Sequence, residues 1–172
     1  MKNAVRVLAL TVLLTFSFGN AEAQKASKFG HFSSQDLIQK MPEYTAAQDT
    51  LKNYVEQLRT DLESMQKEFD NLQADYQAKK DQLSNLLKQN KEKELQDAYT
   101  RIQTFQANSQ QEINTKQNEL MNSIMDKVRN AVEQVAKENH YDYIFESNGI
   151  LWYSNDSDDV SSLIEKKLNL KK

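Results

Sequence analysis

The chain is predicted to be mainly α-helical with a small β part: a long antiparallel helical hairpin (a coiled-coil tentacle) on a small β-barrel oligomerisation body built from N- and C-terminal strands. Three observations predict this fold class. No glycine or proline lies between Glu43 and Asn148, and the segment is rich in helix-forming residues. Its apolar residues recur about every 3.5 positions. After it, YDYIFESNGILWYS (residues 141–154) is typical of two short strands joined by a tight turn.

The first 23 residues are predicted to be a secretory signal peptide that is cleaved before Gln24. Lys2 and Arg6 precede an apolar run over residues 7–18, and Ala21-Glu22-Ala23 fits a small-residue cleavage site. The run is short for a membrane span, so the mature chain is expected to be exported and soluble. The 172 residues carry a net charge of −3 and no cysteine. This composition argues against nucleic-acid binding and against disulfide or thiol chemistry.

The helical segment, residues 43–139, is predicted to fold back on itself with its tip near residues 88–94. The heptad phase of the first half does not continue past Leu87, because the next seam positions are polar. A turn there pairs Leu83 with Tyr99 and gives arms of about 60 Å. The pairing fixes the phase of the two heptads but not their register. One continuous helix in a parallel coiled coil is the alternative.

The segment after the helices is predicted to be a β-hairpin around Asn148-Gly149. This turn would place Phe145 opposite Trp152, and Ile144 opposite Tyr153. Both faces would then carry large apolar side chains, and a two-stranded hairpin is only marginally stable in water. The hairpin is therefore expected to find further strands.

One partner strand is predicted in KFGHFSS, residues 28–34, which precedes a short helix that stops at Pro42. Ser157 is predicted to cap a short terminal helix. The body would comprise residues 24–42 and 140–172, and self-association of several copies would cover its apolar faces. The residues predicted to mediate oligomerisation are Phe29, Phe32, Ile144, Phe145, Ile150, Leu151 and Trp152.

Charge is uneven along the predicted hairpin, with an acidic first arm and a basic region near the tip. A solvated helix end is one explanation. Contact with anionic lipid head groups or lipopolysaccharide is the other. The basic residues concerned are Lys79, Lys80, Lys88, Lys91 and Lys93.

Together these features resemble the Skp/OmpH family of periplasmic chaperones. The resemblance rests on KMPEYTAAQDTL (residues 40–51), YDYIFESNGILWYS and DDVSSLIEKKLNL (residues 158–170), placed in this order around the long helical pair. It implies a periplasmic homotrimer whose three tentacles surround a cavity for unfolded outer-membrane proteins. Two features depart from the family: its best-known members are strongly basic, and their first strand is usually an apolar run where this chain has FGHF.

No catalytic site, metal site or cofactor is predicted, because the chain has only two histidines, no cysteine and no glycine-rich phosphate loop. Two functions stay open: an ATP-independent holdase for unfolded outer-membrane proteins, and a structural coiled-coil spacer or adaptor of the cell envelope. The holdase is favoured because a spacer needs no closed oligomerisation body and requires an uninterrupted seam. Candidate client contacts at the edge of the seam are Tyr54, Leu86, Leu87, Phe105 and Met121.

Overall fold

A computed structural model describes residues 27–170 of the chain. The described elements, in chain order, are β1 (Phe29–Phe32), α1 (Ser34–Gln39), α2 (Pro42–Lys79), α3 (Asn85–Asn139), β2 (Tyr143–Glu146), β3 (Asp158–Asp159) and α4 (Ser161–Lys167). The prediction of a mainly helical chain with a long helical hairpin and a small sheet is confirmed. The predicted signal peptide, residues 1–23, lies outside the described residues.

The two long helices lie antiparallel and form the hairpin. Pro42 opens α2, where its fixed φ and missing N–H suit the first helical turn. The 38 residues of α2 span about 57 Å, and the 55 residues of α3 span about 83 Å. The arms are therefore unequal, because the last turns of α3 belong to the body rather than to the hairpin.

The hairpin turns about one heptad earlier than predicted, so the predicted tip at residues 88–94 is wrong and those residues lie inside α3. A 3-10 turn over Lys80–Gln82 is followed by an extended Leu83. The Ser84 hydroxyl then accepts the backbone N–H of Leu87 as the cap of α3. The polar stretch after Leu87 stays helical because lysine, glutamine and glutamate are themselves good helix formers.

The register of the two helices also differs from the prediction. Tyr99 packs against Phe69, with ring centroids 6.1 Å apart, rather than against Leu83. The displacement is two heptads, so the same seam positions face each other and only the partners change. Because the apolar pattern repeats, it fixes the phase of the seam and leaves the register to the turn.

The three strands form an open, all-parallel sheet in the order β2-β1-β3. The predicted antiparallel hairpin, with Trp152 and Tyr153 in its second strand, is wrong, and the sheet of the single chain is not a closed barrel. A type I′ turn needs positive φ at both central residues, and neither Asn148 nor Gly149 has it. Residues 147–149 form a 3-10 turn instead.

Glu146 at the end of β2 provides a physical reason for this change of direction. Its carboxylate accepts the backbone N–H of Ser34 at 3.0 and 3.1 Å and that of Asn148 at 3.4 Å. The side chain thus connects the end of β2 to the start of α1 by hydrogen bonds, and its hydrogen bond to Asn148 stabilises the 3-10 turn that follows. The next strand, β3, joins the far side of β1.

The terminal helix begins at Ser161, so the prediction that Ser157 caps it is wrong. Asp158 and Asp159 lie in β3, paired with β1, rather than in the first helical turn. The Asp159 carboxylate accepts the backbone N–H of Ser161 at 2.9 Å. Hydrogen bonds from the side chain and the backbone of Ser161 hold the pKa of Asp159 below its usual range.

The core of the body forms where α1, the start of α2, the end of α3 and α4 pack beside the sheet. Each aliphatic side chain buried there contributes about 1.5–3 kcal/mol. Gly30 on β1 lies against this core, and a Cβ there would stand 2.9 Å from the Val160 Cγ1 atom. The buried core residues are Phe32, Leu37, Ile38, Met41, Ile124, Val128, Ala131, Val135, Val160 and Ile164.

Candidate functional site

Three aromatic rings, which we call the aromatic ladder, lie on one face of the sheet. Phe29 of β1 stacks on Tyr143 and Phe145 of β2, with centroids 5.8 and 6.2 Å apart. The rings share a face because Phe29 pairs with Tyr143 in register and alternate residues of a strand point the same way. They are 43–57% exposed, so the ladder is an uncovered apolar surface.

The segment between Ile150 and Ser157, which we call the 150–157 loop, adds to this surface. Leu151 is 106% exposed and Trp152 is 78% exposed. The loop and the aromatic ladder enclose an open cleft of about 910 Å³, with Phe29 and Phe145 among its lining residues. A projecting apolar loop beside an apolar cleft is the composition of a protein–protein contact.

The residues predicted to mediate oligomerisation divide between the core and this surface. Phe32 is buried in the core of its own chain, and Ile144 packs against that core. Sequence reasoning missed Tyr143, although its alternation with Phe145 along the strand would have indicated it. The predicted residues that line the cleft or project beside it are Phe29, Phe145, Ile150, Leu151 and Trp152.

A polar cluster anchors the start of β1 at the edge of this surface. The ammonium group of Lys28 lies 4.0 Å from the ring centroid of Tyr141 and 3.8 Å from the Asp158 carboxylate. The Tyr141 hydroxyl donates to Asp158 at 2.7 Å. Burial and this hydrogen bond raise the pKa of Tyr141 to about 12. The cluster therefore holds the N-terminal strand against both of its neighbours.

The candidate client residues fall into two groups along the hairpin. The Tyr54 hydroxyl donates to Glu112 at 2.6 Å across the two helices, and Met121 packs against the core of the body. Phe105 is also half-buried. Leu86 and Leu87, by contrast, are 67% and 51% exposed in the first turn of α3. The earlier turn thus places an exposed apolar pair at the tip.

The basic residues predicted near the tip differ in their partners. Lys79 pairs with Asp75, and Lys91 pairs with Glu94 at 2.7 Å. The other three make no ion pair with any residue of the described range 27–170: Lys80, Lys88 and Lys93. Lys80 lies in the turn itself, and Lys88 directly follows the exposed Leu87 in α3.

Two classes of site are not found among residues 27–170. No helix in that range is long and apolar enough to cross a membrane. No cluster of three or more histidine, aspartate or glutamate side chains there is arranged to hold a metal ion.

Residues 28–168 match the family described as "Outer membrane protein (OmpH-like)". The chain belongs to the OmpH-like family. The predicted resemblance is thereby confirmed, over nearly all of the described residues. The fold is similar to that of a protein from Caulobacter crescentus CB15, assigned as an OmpH-like outer membrane chaperone, whose crystal structure matches with a TM-score of 0.70. The two chains are 16% identical, and the match covers 88% of this chain and 89% of that one. At that identity the likeness shows a shared fold. No curated protein matches the chain.

Proposed function

We propose that this OmpH-like protein is an ATP-independent holdase chaperone of the periplasm. It keeps unfolded outer-membrane proteins soluble between the helical hairpins of a homotrimer. The observation that carries the proposal is that a single chain combines a long projecting hairpin, the exposed Leu86 and Leu87 at its tip, and the uncovered aromatic ladder on its body. Membership of the OmpH-like family, and the fold shared with a protein assigned as an outer membrane chaperone, support a chaperone role.

Self-association is the first part of the proposal. Residues 24–42 and 140–172 would form the oligomerisation body, and residues 43–139 the tentacle. Leu151 and Trp152 are too exposed to stabilise a monomer, and burying them against the cleft of another copy removes their apolar surface from water. Three copies held at their bodies would project three hairpins around a central space.

Client holding is the second part. Each exposed side chain on a hairpin buries little area, worth about 1 kcal/mol at 25 cal/mol per Å². Many such contacts over three hairpins give avidity without sequence specificity. No nucleotide is required, because a client leaves when it buries its own apolar surface by folding into the membrane.

Contact of the tip with anionic lipid or lipopolysaccharide is the third part. Lys80, Lys88 and Lys93 form no ion pair in the described range, and in the sequence Lys80 precedes and Lys88 follows the exposed Leu86 and Leu87. Positive charge beside apolar side chains is the composition of segments that bind the surface of an anionic membrane. Such contact would bring a loaded chaperone to the membrane that receives its client.

A structural coiled-coil spacer of the cell envelope is the second candidate, and the length of the hairpin favours it. The hairpin returns the chain to its own body, however, so a spacer would need a partner at the tip as well as one at the body. Polar residues also interrupt the contact between the helices, as at the Tyr54–Glu112 hydrogen bond. A spacer gains nothing from either feature.

The deciding experiment measures aggregation of an unfolded outer-membrane barrel protein with and without the mature chain, in the absence of ATP. Oligomeric mass is measured in parallel by sedimentation. A holdase suppresses aggregation near one trimer per client, whereas a spacer leaves the aggregation rate unchanged. A stable monomer in solution would contradict the trimer.

A further inference from the structure

His31 is a buried polar residue on the central strand of the sheet. It is 8% exposed, and within residues 27–170 it is the one polar side chain in the buried class. A buried polar group costs free energy unless it is hydrogen-bonded. An apolar side chain could occupy this position without the free-energy cost of burying a polar group. The contacts that His31 makes therefore indicate what a histidine contributes here.

Both side-chain partners of His31 belong to the 150–157 loop. Its Nδ1 atom lies 3.0 Å from the Ser157 hydroxyl oxygen, and its ring centroid lies 3.9 Å from that of Tyr153. The loop's remaining hydrogen bonds in the described range are local, such as Ser157 N–H to the Ser154 carbonyl. His31 thus forms the side-chain hydrogen bond that joins the loop to the sheet.

We propose that His31 is the positioning residue of the assembly surface. By holding Tyr153 and Ser157 against β1, it sets where the neighbouring Leu151 and Trp152 project. The inference rests on the proposed self-association and adds to it the residue that orients the contact. It gives a function to the one polar residue that interrupts the apolar character of the first strand.

The physical reason is pre-organisation. The 150–157 loop has no helix or strand of its own, and ordering a flexible segment during association costs conformational entropy. A loop that is already held against the sheet by His31 presents Trp152 to the partner with a smaller loss of conformational entropy. His31 is not a member of the core cluster, most of whose residues lie on α1, α3 and α4. Loss of its contacts with the loop should therefore weaken association far more than it weakens the fold.

The test uses Trp152, which is the only tryptophan of the chain, as a reporter inside the loop. Its emission and its acrylamide quenching are compared in the wild type, Ser157→Ala, His31→Phe and the double variant. His31→Phe keeps an aromatic ring against Tyr153 but cannot bond Ser157. The matched controls are Ser162→Ala, an exposed serine of α4, and His140→Asn, the other histidine, which is exposed.

Ser157→Ala and His31→Phe are each expected to raise Trp152 quenching and to weaken self-association about fivefold, the value of one hydrogen bond. The melting temperature of the protomer should stay near that of the wild type. The double variant should be no worse than the worse single variant, because both remove the same contact. The two controls should behave as the wild type.

If Ser157→Ala shows the same Trp152 quenching and the same self-association as the wild type, the inference is overturned. Fully additive effects in the double variant would also overturn it. Ser157→Ala keeps the test decisive even if His31→Phe fails to fold. A wild-type protein that never self-associates would refute the proposed trimer. Trp152 quenching in that monomer would still decide whether His31 holds the loop, so the two failures are distinguishable.

Discussion

The Tyr76 hydroxyl donates a hydrogen bond of 2.5 Å to the Glu92 carboxylate across the helical hairpin. Tyr54 makes the equivalent contact to Glu112 at 2.6 Å. Apolar seam positions repeat with each heptad and are compatible with several registers, but these two hydrogen bonds form together in only one. The polar contacts between the helices, rather than the leucines, therefore distinguish the observed register from its neighbours.

The position of the turn can be tested with two glutamines. Gln89 lies in α3, inside the stretch that the sequence placed at the tip, whereas Gln82 lies in the observed turn. Gln89→Gly is expected to lower the free energy of unfolding by about 0.5–1 kcal/mol, because glycine is unfavourable inside a helix. Gln82→Gly should cost less. Urea denaturation measures both, and a larger cost at Gln82 would contradict the observed turn.

The helices could be predicted from the sequence, but their partners could not. Absence of glycine and proline together with the heptad period identified the long helical segment and the phase of its seam. The turn depends on Ser84 as a cap, and serine is common enough that one such residue does not stand out. A turn expected one heptad too late also shifts the expected register, so the sequence pairs Tyr99 with Leu83, whereas the structure pairs it with Phe69.

The sheet shows a different limit. Asn148-Gly149 favours a hairpin locally, but Glu146 bonds to Ser34 and Asn148, which are remote from each other in sequence. A contact over that separation cannot be inferred from local turn preferences. The apolar character of the C-terminal segment nevertheless indicated an uncovered surface, and Trp152 lies on it.

Trp152→Ala should separate assembly from folding. The side chain is 78% exposed in the protomer, and substitutions at such positions change stability by about 0.5 kcal/mol or less. In the proposed trimer the same ring is buried in the contact, so its loss should dissociate the assembly. Sedimentation measures the mass and circular dichroism the fold. Leu86→Ala is the control, since it removes an exposed apolar side chain far from the body. An intact trimer in Trp152→Ala would contradict the proposed contact.

Leu86→Ser with Leu87→Ser should weaken client protection without destabilising the chain. Both leucines are more than half exposed, so their replacement removes apolar surface from the tip and leaves the seam intact. The readout is aggregation of an unfolded outer-membrane barrel protein beside a thermal melt. Gln89→Ser with Asn90→Ser is the control on the same part of α3. Protection equal to that of the wild type would mean that clients do not contact the tip.

The other candidate client residues should respond differently to the same substitution. Met121 packs against the core, and Tyr54 bonds Glu112, so replacing Tyr54, Phe105 and Met121 together by serine is expected to lower the melting temperature of the hairpin. Any loss of protection must then be measured below that temperature. Loss of protection at a temperature where the variant is fully folded would assign these residues to client binding.

Lys80→Gln with Lys88→Gln tests the basic tip. Each lysine near an anionic surface is worth about fivefold in affinity, so the double variant should bind phosphatidylglycerol vesicles markedly less well than the wild type. Lys52→Gln with Lys67→Gln makes the same charge change on α2, away from the tip, and should have a smaller effect. Co-sedimentation with vesicles at increasing salt measures both. Equal losses in the two variants would indicate an effect of net charge rather than of the tip.

Tyr141 should make the protein less stable in alkali. Burial and the hydrogen bond to Asp158 raise its pKa from 10.0 to about 12, whereas in the unfolded chain a tyrosine ionises near pH 10. The folded state therefore holds the phenol proton more tightly. The resulting stabilisation is complete below about pH 10 and is lost as the pH rises through about 12.

Urea unfolding at about pH 8, 10 and 11.5 measures this dependence. Tyr141→Phe is expected to be less stable than the wild type at about pH 8, because the hydrogen bond to Asp158 is gone, but to lose less stability between about pH 10 and 12. Tyr143→Phe, which changes an exposed tyrosine two positions along the chain, should follow the wild type.

Tyr54 and Tyr76 also have raised pKa values, through their hydrogen bonds to Glu112 and Glu92. Both tyrosines are present in every variant and contribute equally to each pH dependence. The difference in pH dependence between Tyr141→Phe and the wild type therefore reports the Tyr141 phenol alone. Parallel curves for these two proteins would show that the Tyr141–Asp158 contact does not contribute to folding.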